Sequence, residues 1–213
     1  MHATRIIAIR HGETAWNVDT RIQGHLDIPL NDTGLWQADQ AARALADEPI
    51  AAIYTSDLLR ALATAQAVAR TTGAPLTTDT GLRERSFGHF QGRTFAEIEA
   101  ELPEDARRWR KRDPHYTPEG GESLVTLRDR IERTVTALAQ QHVGQQVVMV
   151  AHGGVLDVLY RLATRQDIQA PRTWQLANAA INRLLWTPDG LSLVGWADTQ
   201  HLDDRSARDE IHS

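Results

Sequence analysis

Two short apolar runs, 141 residues apart, each end in a histidine followed by glycine. Ala3 to Ile9 stops at Arg10-His11-Gly12, and Gln146 to Ala151 stops at His152-Gly153-Gly154. A short, unbroken, β-branched run reads as a strand buried on both faces, the pattern of a parallel sheet. Parallel neighbours need crossover helices, and in open sheets of this kind ligands bind beyond the carboxyl ends of the strands. Two central strands would therefore bring His11 and His152 side by side at that edge. The glycine after each histidine lets the backbone turn tightly there.

The rest of the chain supplies the crossovers. Asn31-Asp32-Thr33-Gly34 opens a helix to about Asp47, with Leu35, Ala38, Ala42 and Leu45 on one face. Residues 51–55 read as a strand, and Ser56 or Asp57 is expected to cap the helix bearing Leu58, Leu62, Ala65 and Ala69. Leu82 to Arg85 reads as a short extended piece. Residues 94–111 read as one or two surface helices burying Phe95, Ile98 and Leu102, and 113–121 as a loop. A long helix follows over 122–141 and another over 155–163, with late strands at 173–176, 180–187 and 191–196. This alternation predicts a three-layer α/β/α sandwich whose mostly parallel central sheet contains an antiparallel edge strand. Residues 1–199 are expected to form one domain. Within it 77–121 is an excursion over the active site with too few apolar residues for its own core, and 200–213 is a polar, acidic tail.

Composition narrows the chemistry. With 213 residues, 41% of them hydrophobic, the chain can bury a sizeable core without staples. It has no cysteine, which removes disulfides, thiolate nucleophiles and Cys-ligated metals. Of 23 basic residues only Lys111 is a lysine, so Schiff-base and P-loop lysine chemistry are nearly excluded. A net charge of −5 argues against a nucleic-acid partner. The first apolar run is too short for a signal or a membrane span, so no membrane association and a cytoplasmic location are expected. Arginine's planar fork suits phosphate and carboxylate.

Arg10 interrupts the first strand beside His11, Arg60 opens the helix after the second, and Arg21 lies in the loop after the first. A histidine whose second nitrogen is held by a backbone carbonyl is a good nucleophile. Two histidines, two arginines and a carboxylate suit a phosphoryl group. Ligation of a metal by both histidines and Glu84 is disfavoured, because no His-x-His or His-x-x-x-His pair holds two ligands together. No cofactor is expected.

Arg10-His11-Gly12-Glu13-Thr14 resembles the signature of the histidine phosphatase superfamily, also called the phosphoglycerate mutase-like family. Further blocks resemble that family in order: Asn17, Gln23-Gly24 through Leu30 with Gly34, Tyr54 to Ala61, Leu82 to Arg85 with Phe87-Gly88, Gly120 to Ser123, and Val150 to Gly154. The resemblance covers about residues 4–199 and implies specific roles. His11 would be the nucleophile that becomes phosphohistidine, and Glu84 the general acid and then base. Arg10, Arg60 and His152 would bind phosphate, with Asn17 completing the pocket. Arg21, Gln23, Gly24, Ser123 and Gly153 are further candidates for substrate binding. Apolar neighbours such as Phe87 are expected to desolvate Glu84.

Family members divide by the fate of the phosphohistidine. Cofactor-dependent mutases carry a longer segment between the glutamate and the second histidine, here only 68 residues apart. They also have a tyrosine at Phe87 and typically Thr-Gly at Gln23-Gly24. These departures imply the phosphatase branch, a metal-independent phosphomonoesterase acting on a small phosphorylated metabolite. A phosphoglycerate mutase is the alternative, and a catalytically silent phosphate-binding protein the third reading. The basic run Arg107 to Arg112 reads as a solvated helix face, although Arg107 and Arg110 could reach the pocket mouth. An exposed sheet edge would permit a homodimer.

Overall fold

The computed structural model describes residues 3–203, so the expected acidic tail lies outside the described residues from 204 onward. One six-stranded sheet, in the order β3-β2-β4-β1-β5-β6, organises the chain. Its strands are β1 (Thr4–Arg10), β2 (Ala52–Thr55), β3 (Leu76–Thr78), β4 (Gln146–Ala151), β5 (Ile181–Thr187) and β6 (Gly190–Asp198). The first four are mutually parallel, whereas β5 pairs antiparallel with β1 and β6 pairs antiparallel with β5, so that β6 again points the way of β1. The antiparallel edge is thus a pair of strands.

Alternation along β1 builds two cores, because successive side chains leave a strand on opposite faces. Ile6 and Ala8, with Val147 and Met149, meet helices α6 (Leu124–Gln140) and α7 (Gly153–Thr164) through Leu127, Ile131, Val135, Val155 and Leu159. Ile7 and Ile9, with Val148, Val150 and Ile53, meet α2 (Asp32–Ala44) and α3 (Leu59–Thr72) through Ala38, Ala42, Ala61, Ala65 and Val68. Burying each large aliphatic side chain stabilises the fold by about 1.5–3 kcal/mol. None of the described helices is long and apolar enough to cross a membrane.

Several local expectations change. The four-residue α1 (Ala15–Val18) and the three-residue β3 were too short to carry a periodicity. Residues 173–176 form no strand; there Trp174 stacks on Tyr160 and the Leu176 carbonyl accepts from Arg10. Leu82 to Arg85 joins no strand either: Leu82 ends a 3-10 turn over Thr80–Leu82, Arg83 is extended with φ −57° and ψ 154°, and the carbonyls of Gly81, Arg83 and Glu84 accept from Arg130 instead of a neighbouring strand. Neither Ser56 nor Asp57 caps α3. The Leu59 N–H donates instead to Asp27 Oδ1 at 2.7 Å, while Asp57 pairs with Arg83.

The excursion also holds more apolar surface than its composition suggested. Helices α4 (Phe95–Glu101) and α5 (Pro103–Arg110) close on a small cluster of Phe90, Ile98, Ala106 and Tyr116, with Phe95 and Leu102 packed partly buried against it. Ile22 and Phe87 tie that cluster to the loops at the carboxyl edge of the sheet.

Candidate active site

Register places the two histidines together. Arg10 pairs with Ala151 across β1 and β4, and the His11 N–H donates to the Ala151 carbonyl at 3.0 Å. The two imidazoles leave adjacent strand ends with ring centroids 5.2 Å apart. Both residues are buried. His11 Nδ1–H donates to the Gly12 carbonyl at 2.7 Å. A carbonyl can only accept, so this bond fixes the tautomer and leaves the Nε2 lone pair for chemistry. Burial, then the charges of Arg10 and Arg60, hold the His11 pKa well below the usual imidazole value. His152 is held low by burial first, then by Arg60, His11 and Arg10. Both rings are neutral at pH 7.

Arg60, in the first turn of α3, is one of the largest fully buried side chains. Its Nη1 donates to the Leu26 carbonyl at 2.9 Å and its Nη2 to the Gly24 carbonyl at 2.7 Å. Gly24 has φ +53°, and a Cβ there would overlap the side-chain oxygen of Gln91, which accepts from the His25 N–H. Glycine is required for both reasons. The Gly24 carbonyl thus orients Arg60. Burial lowers the Arg60 pKa to about 10, against the opposing charges of Glu84 and Asp27, so the guanidinium stays cationic. Arg10 donates from Nη1 to Leu176. Arg10 Nε, Arg60 Nε and both ring nitrogens of His152 are buried without hydrogen-bond partners among the described residues. Native structures rarely leave such groups unmet, and these converge on the edge where the histidines lie.

Glu84 meets the same edge through a helix terminus. Its Oε2 accepts the Gly154 N–H at 3.0 Å and its Oε1 the Arg85 N–H at 2.7 Å. The His152 N-cap makes no side-chain hydrogen bond, so Glu84 satisfies one of the orphan N–H groups at the start of α7. A Cβ on Gly154 would overlap Glu84 Oε1. Phe87 packs on Trp109, with ring centroids 5.1 Å apart.

The remaining candidates divide. Asn17 Oδ1 accepts from the Thr14 N–H at 3.0 Å within the capping box of α1, which leaves its amide nitrogen as the free donor. Gln23 Oε1 accepts from the Thr14 hydroxyl at 3.0 Å. Gly153 lies against Arg10 at the first position of α7. Arg21 is not directed to the cluster: its guanidinium donates to the Gly92 carbonyl and to Glu97. The Ser123 hydroxyl caps α6 by accepting the Thr126 N–H at 3.1 Å.

Two contributors, Asn178 and Arg130, escaped the sequence reading, and a third, His25, stood in the Gln23 to Leu30 block without a role. Asn178 Nδ2 donates to the His11 carbonyl at 2.9 Å and to Asn17 Oδ1 at 3.3 Å. His25 Nε2–H donates to the Glu84 carbonyl at 2.8 Å. Arg130 of α6 donates to the carbonyls of Gly81 and Arg83 and forks onto Glu122, whose Oε2 accepts the Ser86 N–H. Asn178 carries no sequence signal beyond being polar. Arg130 looks like any helix arginine until the fold brings residues 81–86 over it.

Beside Arg10, Gly153 and Gly154 opens a cleft of about 660 Å³, walled on one side by Phe87, Trp109 and Leu124. The basic run reaches it through Arg110 and Arg112; Arg107 pairs with Glu104 outside it. Among the described residues no three His, Asp or Glu side chains converge as a metal cluster.

The model of the histidine phosphatase superfamily (branch 1) matches residues 6–199. A phosphoglycerate mutase-like protein 4 of Arabidopsis thaliana is 38% identical over 93% of this chain and 87% of its own length. A metal-independent phosphoserine phosphatase of the same plant is 36% identical over 93% and 83%. A mycobacterial glucosyl-3-phosphoglycerate phosphatase solved with VO3 superposes with a TM-score of 0.82 at 33% identity, covering 92% of this chain and 99% of that one. With histidines, arginines and glutamate converging at the sheet edge, and relatives matching along nearly the whole length, the chain belongs to branch 1 of the histidine phosphatase superfamily and is a phosphatase.

Proposed function

We propose that this protein hydrolyses monophosphate esters of small metabolites without a metal ion, through a phosphohistidine on His11. The observation that carries this reading is the His11 Nδ1–H bond to the Gly12 carbonyl, which leaves Nε2 unprotonated on a ring beside His152 and within electrostatic reach of Arg10 and Arg60. In the first step the Nε2 lone pair attacks phosphorus and an N–P bond forms. The P–O bond to the alcohol breaks as protonated Glu84 gives its proton to the leaving oxygen. In the second step Glu84 takes a proton from water, the resulting oxygen attacks phosphorus, and inorganic phosphate leaves with the N–P bond broken. Arg10, Arg60, His152 and the Asn17 amide would face the phosphoryl oxygens. Charge neutralisation and positioning of this kind are most of what phosphoryl transfer requires. The excursion over 77–121, within a single domain, would select the alcohol.

The test is release of phosphate from a panel of phosphomonoesters in excess chelator, with acid quench to trap labelled His11. Activity that survives chelation, and is lost with the label in His11→Ala, supports the reading; activity retained in that variant sinks it. The mutase alternative draws support from the arginines of the cleft and from the mutase-like relative. Interconversion of phosphoglycerates outpacing phosphate release would decide for it.

A further inference from the structure

Five arginines line the cleft beside the phosphate centre, Arg10, Arg85, Arg110, Arg112 and Arg172, against one carboxylate, Asp157. Four of them are committed. Arg10 donates to the Leu176 carbonyl, and Arg85 to the carbonyls of Glu122 and Tyr116. Arg110 pairs with Glu99 at 2.5 Å. Arg112 donates to Asp157 and to the Ile168 carbonyl, each at 2.9 Å.

Arg172 has no hydrogen bond and no ion pair among the described residues. It is exposed on the rim. Its charge adds to burial in lowering the pKa of Arg10, against Glu84, and of Arg112, against Asp157, so it sits within electrostatic reach of each while making no ion pair of its own among the described residues. Like charges held this way are relieved by an anion placed among them. The aromatic wall of Phe87 and Trp109 keeps water from part of the cleft and strengthens such an attraction.

Geometry assigns the anion to the leaving group. The phosphoryl oxygens take the His11 side of Arg10, and the cleft extends from Arg10, Gly153 and Gly154 toward Arg172. One uncommitted guanidinium carries one charge and two parallel donors, which matches a carboxylate; a second phosphate would call for more than one free cation. We infer that the alcohol portion of the natural substrate bears a carboxylate and that Arg172 binds it. This rests on the reading that the phosphoryl group docks at His11.

A matched pair of esters tests it. 3-Phosphoglycerate and glycerol 3-phosphate differ only by a carboxylate in place of a hydroxymethyl group. The unaltered protein is expected to favour the acid in kcat/KM by at least about tenfold, the size of one charge-assisted hydrogen bond. Arg172→Gln should remove most of that preference, chiefly through KM. Arg172→Lys should keep part of it, since the charge stays and the fork is lost. Arg107→Gln, outside the cleft, should leave the ratio as it was. A ratio near one in the unaltered protein, or one indifferent to Arg172→Gln, overturns the inference. So does 1,3-propanediol bisphosphate being cleaved faster than 3-phosphoglycerate, which would point to a second phosphate. If no ester of any kind is hydrolysed and His11 takes up no phosphoryl group, the phosphatase reading falls first and the inference with it.

Discussion

The Glu84 carboxylate accepts the Gly154 N–H at 3.0 Å, and the missing side chain of Gly154 is what makes room for it. The proposed acid is thereby held by the helix that begins at the second histidine. Alanine at 154 would push a flexible carboxylate aside without disturbing a packed core. Gly154→Ala is therefore expected to leave stability within about 1 kcal/mol, since alanine suits a helix better than glycine. A displacement near 1 Å should lower kcat by about 10- to 100-fold. Thermal unfolding and steady-state kinetics on one preparation check the pair of outcomes, and an unchanged kcat would detach Glu84 from the chemistry.

Arg130 holds the segment that carries Glu84. Its side chain and that of Glu122 are 19% and 13% exposed, so removing one partner strands a largely buried charge. Arg130→Met should cost about 3 kcal/mol of stability. It should also reduce kcat more than it raises KM, because residues 81–86 lose their anchor while the phosphate pocket does not. Adding Glu122→Gln should recover part of the stability and little of the kcat. Denaturant midpoints and a kcat–KM split separate these effects.

Acid should destabilise the unliganded protein in a defined window. The folded pKa values of His11 and His152 lie well below 6.5, mainly through burial, so the folded state excludes protons that the unfolded chain binds. Stability is then fully present above about pH 6.5 and falls as pH drops below it, by up to about 1.4 kcal/mol per histidine one unit lower. Urea midpoints at pH 8 and 5.5 measure the loss. Replacing both histidines with glutamine should remove that part of it.

Arg21 provides a contrast. Its ion pair with Glu97 is 36% and 44% exposed, a setting worth about 1 kcal/mol at most. Arg21→Ala is expected to shift stability by no more than that and to change KM for a test ester less than twofold. A tenfold rise in KM would return Arg21 to the phosphate pocket.

Much of the site was legible because it sits on two strand ends. Apolar runs that stop at Arg10-His11-Gly12 and at His152-Gly153-Gly154 are local signals, and parallel pairing turns them into one neighbourhood. The position of Arg60 in the first turn of α3 was legible for a similar reason. Arg21, Gly24 and Ser123 were harder to place. Each is polar or glycine near the site in sequence, but its partner, Glu97, Arg60 or the N-terminus of α6, is determined by packing.

What the chain determines by itself is periodicity: which runs form strands, which helices cross between them, and which charged residues end them. Tertiary structure decided the rest, since hydrogen bonds between distant segments form only once a register and a set of loop paths are chosen. The His11 tautomer is local, a bond to its own neighbour's carbonyl. That Glu84 caps α7, that Asn178 reaches back to His11, and that Arg172 alone of the cleft arginines lacks a partner among the described residues all depend on the folded chain.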